Sequence, residues 1–148
     1  MISPETLRRY PYFAQVSDES LKAVAMIAEE RRFKSGQRIL EEREKAENLM
    51  ILTAGSAETV YDLPSGKEVV VGALVPGDIF AISALLEPYE HTVTVKARSD
   101  GSMVAMQAAE LRGLCEQDPA LGYRLMHQVS RALRQRLNDT RAELVGMS

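Results

Sequence analysis

The sequence has few of the residues that build metal and redox sites. It holds one cysteine, Cys115, and two histidines, His91 and His127, in 148 residues. A single thiol excludes an internal disulfide and any multi-thiolate metal or iron–sulfur site within one chain. Barrel enzymes that bind metal through imidazole need two or three converging histidines, usually with a carboxylate. We therefore expect no metal site and no metal-dependent barrel enzyme.

Catalytic and targeting signatures are also missing. The chain contains no GxSxG elbow, Walker loop, HExxH or CxxC motif. No apolar run approaches the roughly 18 residues that a membrane span needs. The N-terminal stretch MISPETLRRYPYF lacks the apolar core of a signal peptide. These absences predict a non-enzymatic protein of the cytoplasm, without a membrane partner.

What is present resembles an ordinary globular domain. The apolar fraction is 45%, the charged fraction is 26% and the net charge is -3, which does not suggest a polyanion-binding protein. A chain of this length suits one domain with a buried core. We divide it into N-terminal helices over residues 1–30, a β-roll over 31–107 and C-terminal helices over 108–146.

Local signals support this division. Ser3-Pro4-Glu5 and Ser17-Asp18-Glu19 are typical helix starts, because a serine cap precedes acidic residues at the positive end of the helix dipole. Short apolar and β-branched stretches then alternate with turn residues. They are RRF, QRIL, NLMILT, SAETVYDL, KEVVVGAL, HTVTVKA and GSMVAMQ. Roughly seven or eight short strands at this spacing predict an antiparallel roll or jelly roll, and hence a mainly β member of the α+β class.

Helical spacing returns near Ala108, and Asp118-Pro119 predicts the start of a second helix that reaches Gly146. About 27 residues would span about 40 Å, more than a small roll requires. Apolar residues at heptad-like spacing predict that this helix pairs with a second copy of the chain, although a threonine interrupts the series. The predicted dimer seam is Met126, Val129, Leu133, Leu137, Thr140 and Leu144. The arginines of this helix are interpreted as a solvated face.

Residues 77–97, GDIFAISALLEPYEHTVTVKA, are the candidate binding segment. They predict a strand, a tight turn, a short helical turn, a loop and a second strand, an arrangement whose free amide groups suit an anion. The candidate pocket residues are Phe80, Ala81, Ile82, Ser83, Ala84, Leu85, His91, Thr92 and Val93. No arginine lies in the segment, and His91 is about neutral at pH 7 unless its surroundings perturb it.

Five stretches in this order resemble the cyclic nucleotide-binding domain family, which includes the bacterial catabolite activator and the regulatory subunit of protein kinase A. They are YPYFAQVSDESLKAV, RRFKSGQRIL, LMILTAGSAETV, GDIFAISALL and HTVTVKA. The resemblance covers nearly the whole chain. It implies a β-roll with a long dimerisation helix, and a regulatory module in which ligand entry repositions that helix and a surface for a protein partner. The family's transcription factors continue into a DNA-binding domain, which a chain ending at Ser148 does not contain, so we expect no direct sequence-specific DNA binding.

The same resemblance implies a degenerate phosphate-binding cassette. The family's cassette glycine falls on Ala81, its ribose-binding glutamate on Ile82 and its phosphate-binding arginine on His91, with Thr92 as the neighbouring hydroxyl. Losing both charged groups would weaken binding by roughly three orders of magnitude, because charged hydrogen bonds to a buried anion are strong. We expect cyclic AMP binding to be weak or lost.

Several alternatives stay open at this stage. Ile82 could fill the pocket and leave a collapsed roll, or a different ligand, smaller or more apolar, could occupy it. Weak nucleotide binding could persist with a protonated His91, and His91 could instead ligate haem. No cofactor is certain. The alternative to a sensory module is a dimeric interaction or scaffold protein with a vestigial pocket. The charged run 41–47 is expected to be a solvated loop.

Overall fold

The computed structural model describes residues 1–147, which form a β-roll between two groups of helices. The predicted α+β fold, an antiparallel β-roll with flanking helices and a long C-terminal helix, is confirmed. In chain order the elements are α1 (Pro4–Arg8), α2 (Asp18–Met26), β1 (Ala28–Phe33), β2 (Arg38–Leu40), β3 (Asn48–Ala54), β4 (Ala57–Asp62), β5 (Glu68–Leu74), β6 (Ile79–Phe80), a 3₁₀ turn (Ile82–Leu85), β7 (Thr94–Ala97), β8 (Gly101–Gln107), α3 (Ala108–Gln117) and α4 (Pro119–Gly146).

Two four-stranded antiparallel sheets form the roll. One sheet has the order β1-β8-β3-β6 and the other the order β2-β7-β4-β5. Alternate side chains of β3 point in opposite directions: Leu49 and Ile51 belong to the core beneath the helices, and Met50 and Leu52 belong to the core inside the roll. A strand buried on both faces loses the polar alternation of a surface strand, which explains the continuous apolar run in this part of the sequence.

The predicted helix starts are confirmed. The Ser17 hydroxyl accepts from the Ser20 backbone N–H at 3.2 Å. The Asp118 carboxylate accepts from the Leu121 backbone N–H at 3.3 Å, and Pro119 occupies the first turn of α4. Such caps satisfy amide groups that have no partner within the helix.

Two predicted boundaries are wrong. Helix α2 ends at Met26, and β1 begins at Ala28 instead of Arg31, because residues from Ala28 onward pair with β8. Strand β7 begins at Thr94 instead of His91, since the residues before it belong to the loop of the candidate site. At β1, pairing with a distant strand overrides the local pattern.

The two halves of α4 have different surroundings. Leu121, Leu125 and Val129 are buried in the core beneath the helices, and Val129 is only 1% exposed. Beyond Val129 every described side chain of α4 is half-buried or exposed. Val129 is therefore a core residue, and its place in the predicted dimer seam is wrong. Over residues 1–147, no helix is both long and apolar enough to cross a bilayer.

Candidate ligand-binding site

One wall of the candidate site is built by β6 and the 3₁₀ turn that follows it. Strand β6 is held by β3 through the pairs Met50–Phe80 and Ile51–Ile79. Ala81 then adopts a left-handed backbone conformation (φ 61°, ψ 38°) and starts the turn. This region favours glycine, so an alanine there is strained by roughly 1–2 kcal/mol. The turn therefore starts at a strained residue that carries a side chain.

The charged run 41–47 anchors the opposite loop. The backbone N–H of His91 donates to the Glu44 carbonyl at 2.9 Å, and the N–H of Arg43 donates to the His91 carbonyl at 2.8 Å. The N–H of Ala46 donates to the Tyr89 carbonyl at 2.7 Å, and Ala46 itself is buried. The run is therefore more than the predicted solvated loop, because its backbone holds His91 in place.

His91 lies in the pocket wall as a buried residue, 8% exposed. Burial lowers its pKa below the ordinary value, and the nearby Glu44 carboxylate opposes this only in part. A histidine with a depressed pKa is neutral at pH 7, so it offers hydrogen bonding but no positive charge. Without a bound anion, a protonated His91 is therefore not favoured at pH 7.

The site encloses a cavity of about 650 Å³. Seven of the nine predicted pocket residues line it: Phe80, Ala81, Ile82, Ser83, His91, Thr92 and Val93. The volume falls within the roughly 300–1,000 Å³ of small-molecule sites, and apolar residues form most of the wall. Ile82 lines the cavity without filling it, so the collapsed-roll alternative does not describe this structure.

The other two predicted pocket residues lie elsewhere. Ala84 is fully buried in the core beneath the helices, and Leu85 packs against that core. The 3₁₀ turn has about three residues per turn. It therefore directs these two side chains away from the cavity that Ile82 and Ser83 line.

Helix α4 forms a wall of the cavity that the predicted pocket residues do not include. Leu133, Arg136, Asp139, Thr140 and Glu143 all line it. The sequence pattern predicts Leu133 and Thr140 in a dimer seam and Arg136 on a solvated face. The guanidinium of Arg136 donates to the carbonyl of Ile79, which ties α4 to β6. Steps of three and four residues place 133, 136, 140 and 143 on one helix face, and this spacing is the signal that could have identified them.

Helix α3 holds the far side of the turn. The Arg112 guanidinium donates to the Ala84 carbonyl at 2.7 Å and lies 3.9 Å above the centre of the Tyr89 ring. This cation–π contact and hydrogen bond join α3 to both ends of the segment 84–89. No motif or spacing in the sequence indicates these two contacts of Arg112.

Neither Cys115 nor His127 contributes to the cavity. Cys115 is partly buried against the helical core, which raises the pKa of its thiol. His127 is exposed on α4, with its ring 6.0 Å from that of Tyr123. Within residues 1–147, no group of three histidine, cysteine or acidic side chains could hold a metal ion.

A β-roll with a short turn after β6 and a long helix across the cavity defines the class of cyclic-nucleotide-receptor folds. The comparison with protein families agrees with this class: the family described as "Cyclic nucleotide-binding domain" matches residues 30–118. The chain therefore belongs to the cyclic nucleotide-binding domain family.

Similar proteins come from several bacteria. A protein from Geobacter metallireducens grouped with the cyclic nucleotide-binding proteins is 42% identical, with a TM-score of 0.84 over 93% of this chain and 99% of that one. The CRP-like cAMP-activated global transcriptional regulator of Mycobacterium tuberculosis is 24% identical over 95% of this chain. The cAMP-activated regulator Vfr of Pseudomonas aeruginosa is 27% identical over 70% of it. The matches span only 62% and 50% of the length of these two regulators.

Proposed function

We propose that this chain is a non-enzymatic regulatory domain whose cavity takes a small molecule other than an ordinary cyclic nucleotide. Occupancy of the cavity changes the position or mobility of α4, and α4 passes the signal to a second copy of the chain and to a protein partner. One observation carries this proposal. A single cavity is lined both by the turn after β6 and by α4, so a molecule inside it contacts the helix directly.

The residues of the turn argue against tight cyclic AMP binding. Ile82 stands where the family has a ribose-binding glutamate, and neutral His91 stands where it has a phosphate-binding arginine. An anionic phosphate placed against these two residues would lose its water and gain no charged partner, which is unfavourable. The open volume argues equally against a purely vestigial pocket.

Restoring the two family residues tests this reading. We expect cyclic AMP at about 1 mM to leave the thermal unfolding of the wild type unchanged and to stabilise the Ile82→Glu, His91→Arg double variant. The stabilisation reaches about 2.7 kcal/mol when the free ligand is at about 100 times its Kd. Each single variant is the matched control, since each restores only one of the two charged groups.

The thermal shifts of the wild type and the double variant with cyclic AMP distinguish an intact cassette from the absence of a cassette-type site. A shift in the wild type as large as that of the double variant would show that the cassette is intact, and the proposed loss of cyclic AMP binding would be wrong. No shift in a double variant that unfolds cooperatively without ligand would mean that the cavity does not present a cassette-type site. The proposed ligand site at the turn would then be wrong.

A further inference from the structure

We infer that the cavity binds an organic anion with an apolar body, and that Arg136 of α4, not the turn after β6, supplies the charge that holds it. This inference rests on the proposed function, because it assigns the chemistry of the same cavity. Arg136 is a cation that lines the cavity and is half-buried, and this burial lowers its pKa. Buried charges in proteins are normally paired.

The guanidinium of Arg136 has donors to spare. It carries five N–H groups, and the Ile79 carbonyl accepts from one of its nitrogens. Among residues 1–147, none of the ion pairs includes Arg136. Asp78 favours the positive charge from a longer distance, but its carboxylate already accepts from the Val75 backbone N–H at 2.9 Å. The nearby Tyr12 hydroxyl donates to the Gly77 carbonyl.

Other arginines of α4 lack this combination. Arg124 donates to the Gln15 side chain at 2.9 Å in an exposed hydrogen bond. Arg131, Arg134 and Arg141 are exposed and do not line the cavity. Arg136 is thus set apart from them by both its burial and its place in the wall.

The remaining charges of the wall orient the anion. Asp139 and Glu143 also line the cavity and are exposed, so the wall around their carboxylates is negative. An anion there would be repelled, whereas next to Arg136 it gains charge-assisted hydrogen bonds. Leu74, Phe80 and Val95 supply apolar surface to the same cavity. The ligand that fits has a carboxylate, sulfonate or phosphate group at Arg136 and an apolar body against the strands.

A matched pair of probes tests this assignment. Anilinonaphthalene sulfonate carries an anionic group, and phenylnaphthylamine has the same ring system without it. Fluorescence titration should give a Kd for the sulfonate at least about tenfold lower than for the neutral probe, as expected for a charged hydrogen bond. Arg136→Met should remove this preference and leave the neutral probe unaffected. The control Arg141→Met removes an exposed arginine of the same helix and should change neither Kd.

A third variant locates the probes. Thr92 is exposed at the cavity wall, so Thr92→Trp should fold and should displace both probes. If both probes bind equally in the wild type and in Arg136→Met, and Thr92→Trp displaces both, the role of Arg136 is wrong and the cavity still takes ligands. If Thr92→Trp displaces neither probe, the proposed function fails and this inference fails with it.

The test of Arg136→Met requires that this variant keep the native fold. Thermal unfolding without probe shows whether Arg136→Met is native. If it is not, Arg136→Lys is used instead. Lysine keeps the positive charge without the planar guanidinium, and this variant should retain a preference for the sulfonate over the neutral probe. A wild type that binds the neutral probe as tightly as the sulfonate overturns the inference by itself.

Discussion

His91 is a buried, neutral residue of the cavity wall, and an arginine that lines the same cavity, Arg136, lies on α4. His91 is held through its backbone to residues 43 and 44, and its side chain is buried in the cavity wall. Its pKa is lowered because burial penalises the charged form more than the Glu44 carboxylate favours it. At the scale of single residues, the cavity wall therefore has a neutral histidine on the loop before β7 and an arginine on α4.

This depressed pKa predicts a pH-dependent stability. The unfolded chain binds a proton at His91 near the ordinary value of 6.5, whereas the folded chain binds it only at lower pH. The contribution of neutral His91 is therefore complete above the unfolded value and is lost as the pH falls through the folded value. We expect the free energy of unfolding to decrease more for the wild type than for His91→Gln when the pH is lowered from about 7.5 to about 5.5.

Urea unfolding at several pH values measures this difference. The control is His127→Gln, which replaces the exposed histidine of α4. Parallel stability curves for the wild type and His91→Gln over this range would contradict the assignment of a buried, neutral His91. In that case His91→Gln would change the free energy of unfolding by the same amount at every pH, and His91 would contribute through packing alone.

At the scale of elements, β8 is the strand on which the first sheet depends, since it pairs with β1 on one side and β3 on the other. Gly101 begins this strand and lies opposite Phe33 of β1. A Cβ atom there would lie 2.2 Å from the Ala54 carbonyl oxygen and 2.5 Å from an edge carbon of the Phe33 ring. Backbone atoms cannot yield as a flexible side chain can, so the strand requires glycine at this position.

We therefore predict that Gly101→Ala destabilises the fold by about 1–3 kcal/mol, the usual range for overpacking. Gly113→Ala is the matched control. Gly113 lies within α3, where an added methyl group would meet open space, and alanine there should stabilise the helix by up to about 1 kcal/mol. Denaturant unfolding of both variants measures whether the free energy of unfolding falls in Gly101→Ala and rises in Gly113→Ala. A neutral Gly101→Ala would show that β8 can move away from Ala54.

Helix α4 combines two roles along its length. Its first part is held by the core through Leu121, Leu125 and Val129. Its next turns cover the cavity, and the last turns are exposed. A helix anchored at one end and in contact with a ligand cavity farther along is suited to respond to occupancy, because the second half has few buried contacts to hold it.

At the scale of the whole molecule, exposed apolar residues on α4 favour the proposed self-association. Leu133 is 42% exposed and Leu137 is 49% exposed. Apolar side chains on one helix are commonly covered by a second helix. The proposed homodimer would cover this part of α4, without Val129, which the core already buries.

We predict that Leu137→Asp weakens the homodimer at least tenfold, since a desolvated carboxylate in an apolar helix contact costs about 1.4 kcal/mol or more. Sedimentation measured over a range of concentrations tests this. The control is Met26→Asp, which places the same charge on an exposed apolar position of α2, 65% exposed. A wild type that remains monomeric, or a dimer that Leu137→Asp leaves unchanged, would contradict the proposed interface.

Much of the architecture could be predicted from local signals. Ser17 and Asp118 mark true helix starts, and the turn Leu63–Lys67 joins β4 and β5 with a hydrogen bond from the Leu63 N–H to the Lys67 carbonyl. The pattern is misleading where a strand continues a helix in sequence, as at Ala28. Ala84 and Leu85 were wrongly predicted to line the pocket for a related reason. The orientation of the 3₁₀ turn on the roll decides which of its side chains face the cavity, and the sequence does not show that orientation.

The sequence by itself determined the order of helices and strands and the roll, because caps, turns and short-range periodicity are local properties of the chain. Only the tertiary structure decided that the pocket is open, that His91 is buried and that α4 covers the cavity with Arg136 facing it. Those features depend on how a helix docks on a roll. That geometry arises from contacts between residues far apart in the chain, such as Arg136 and Ile79, which no local pattern records.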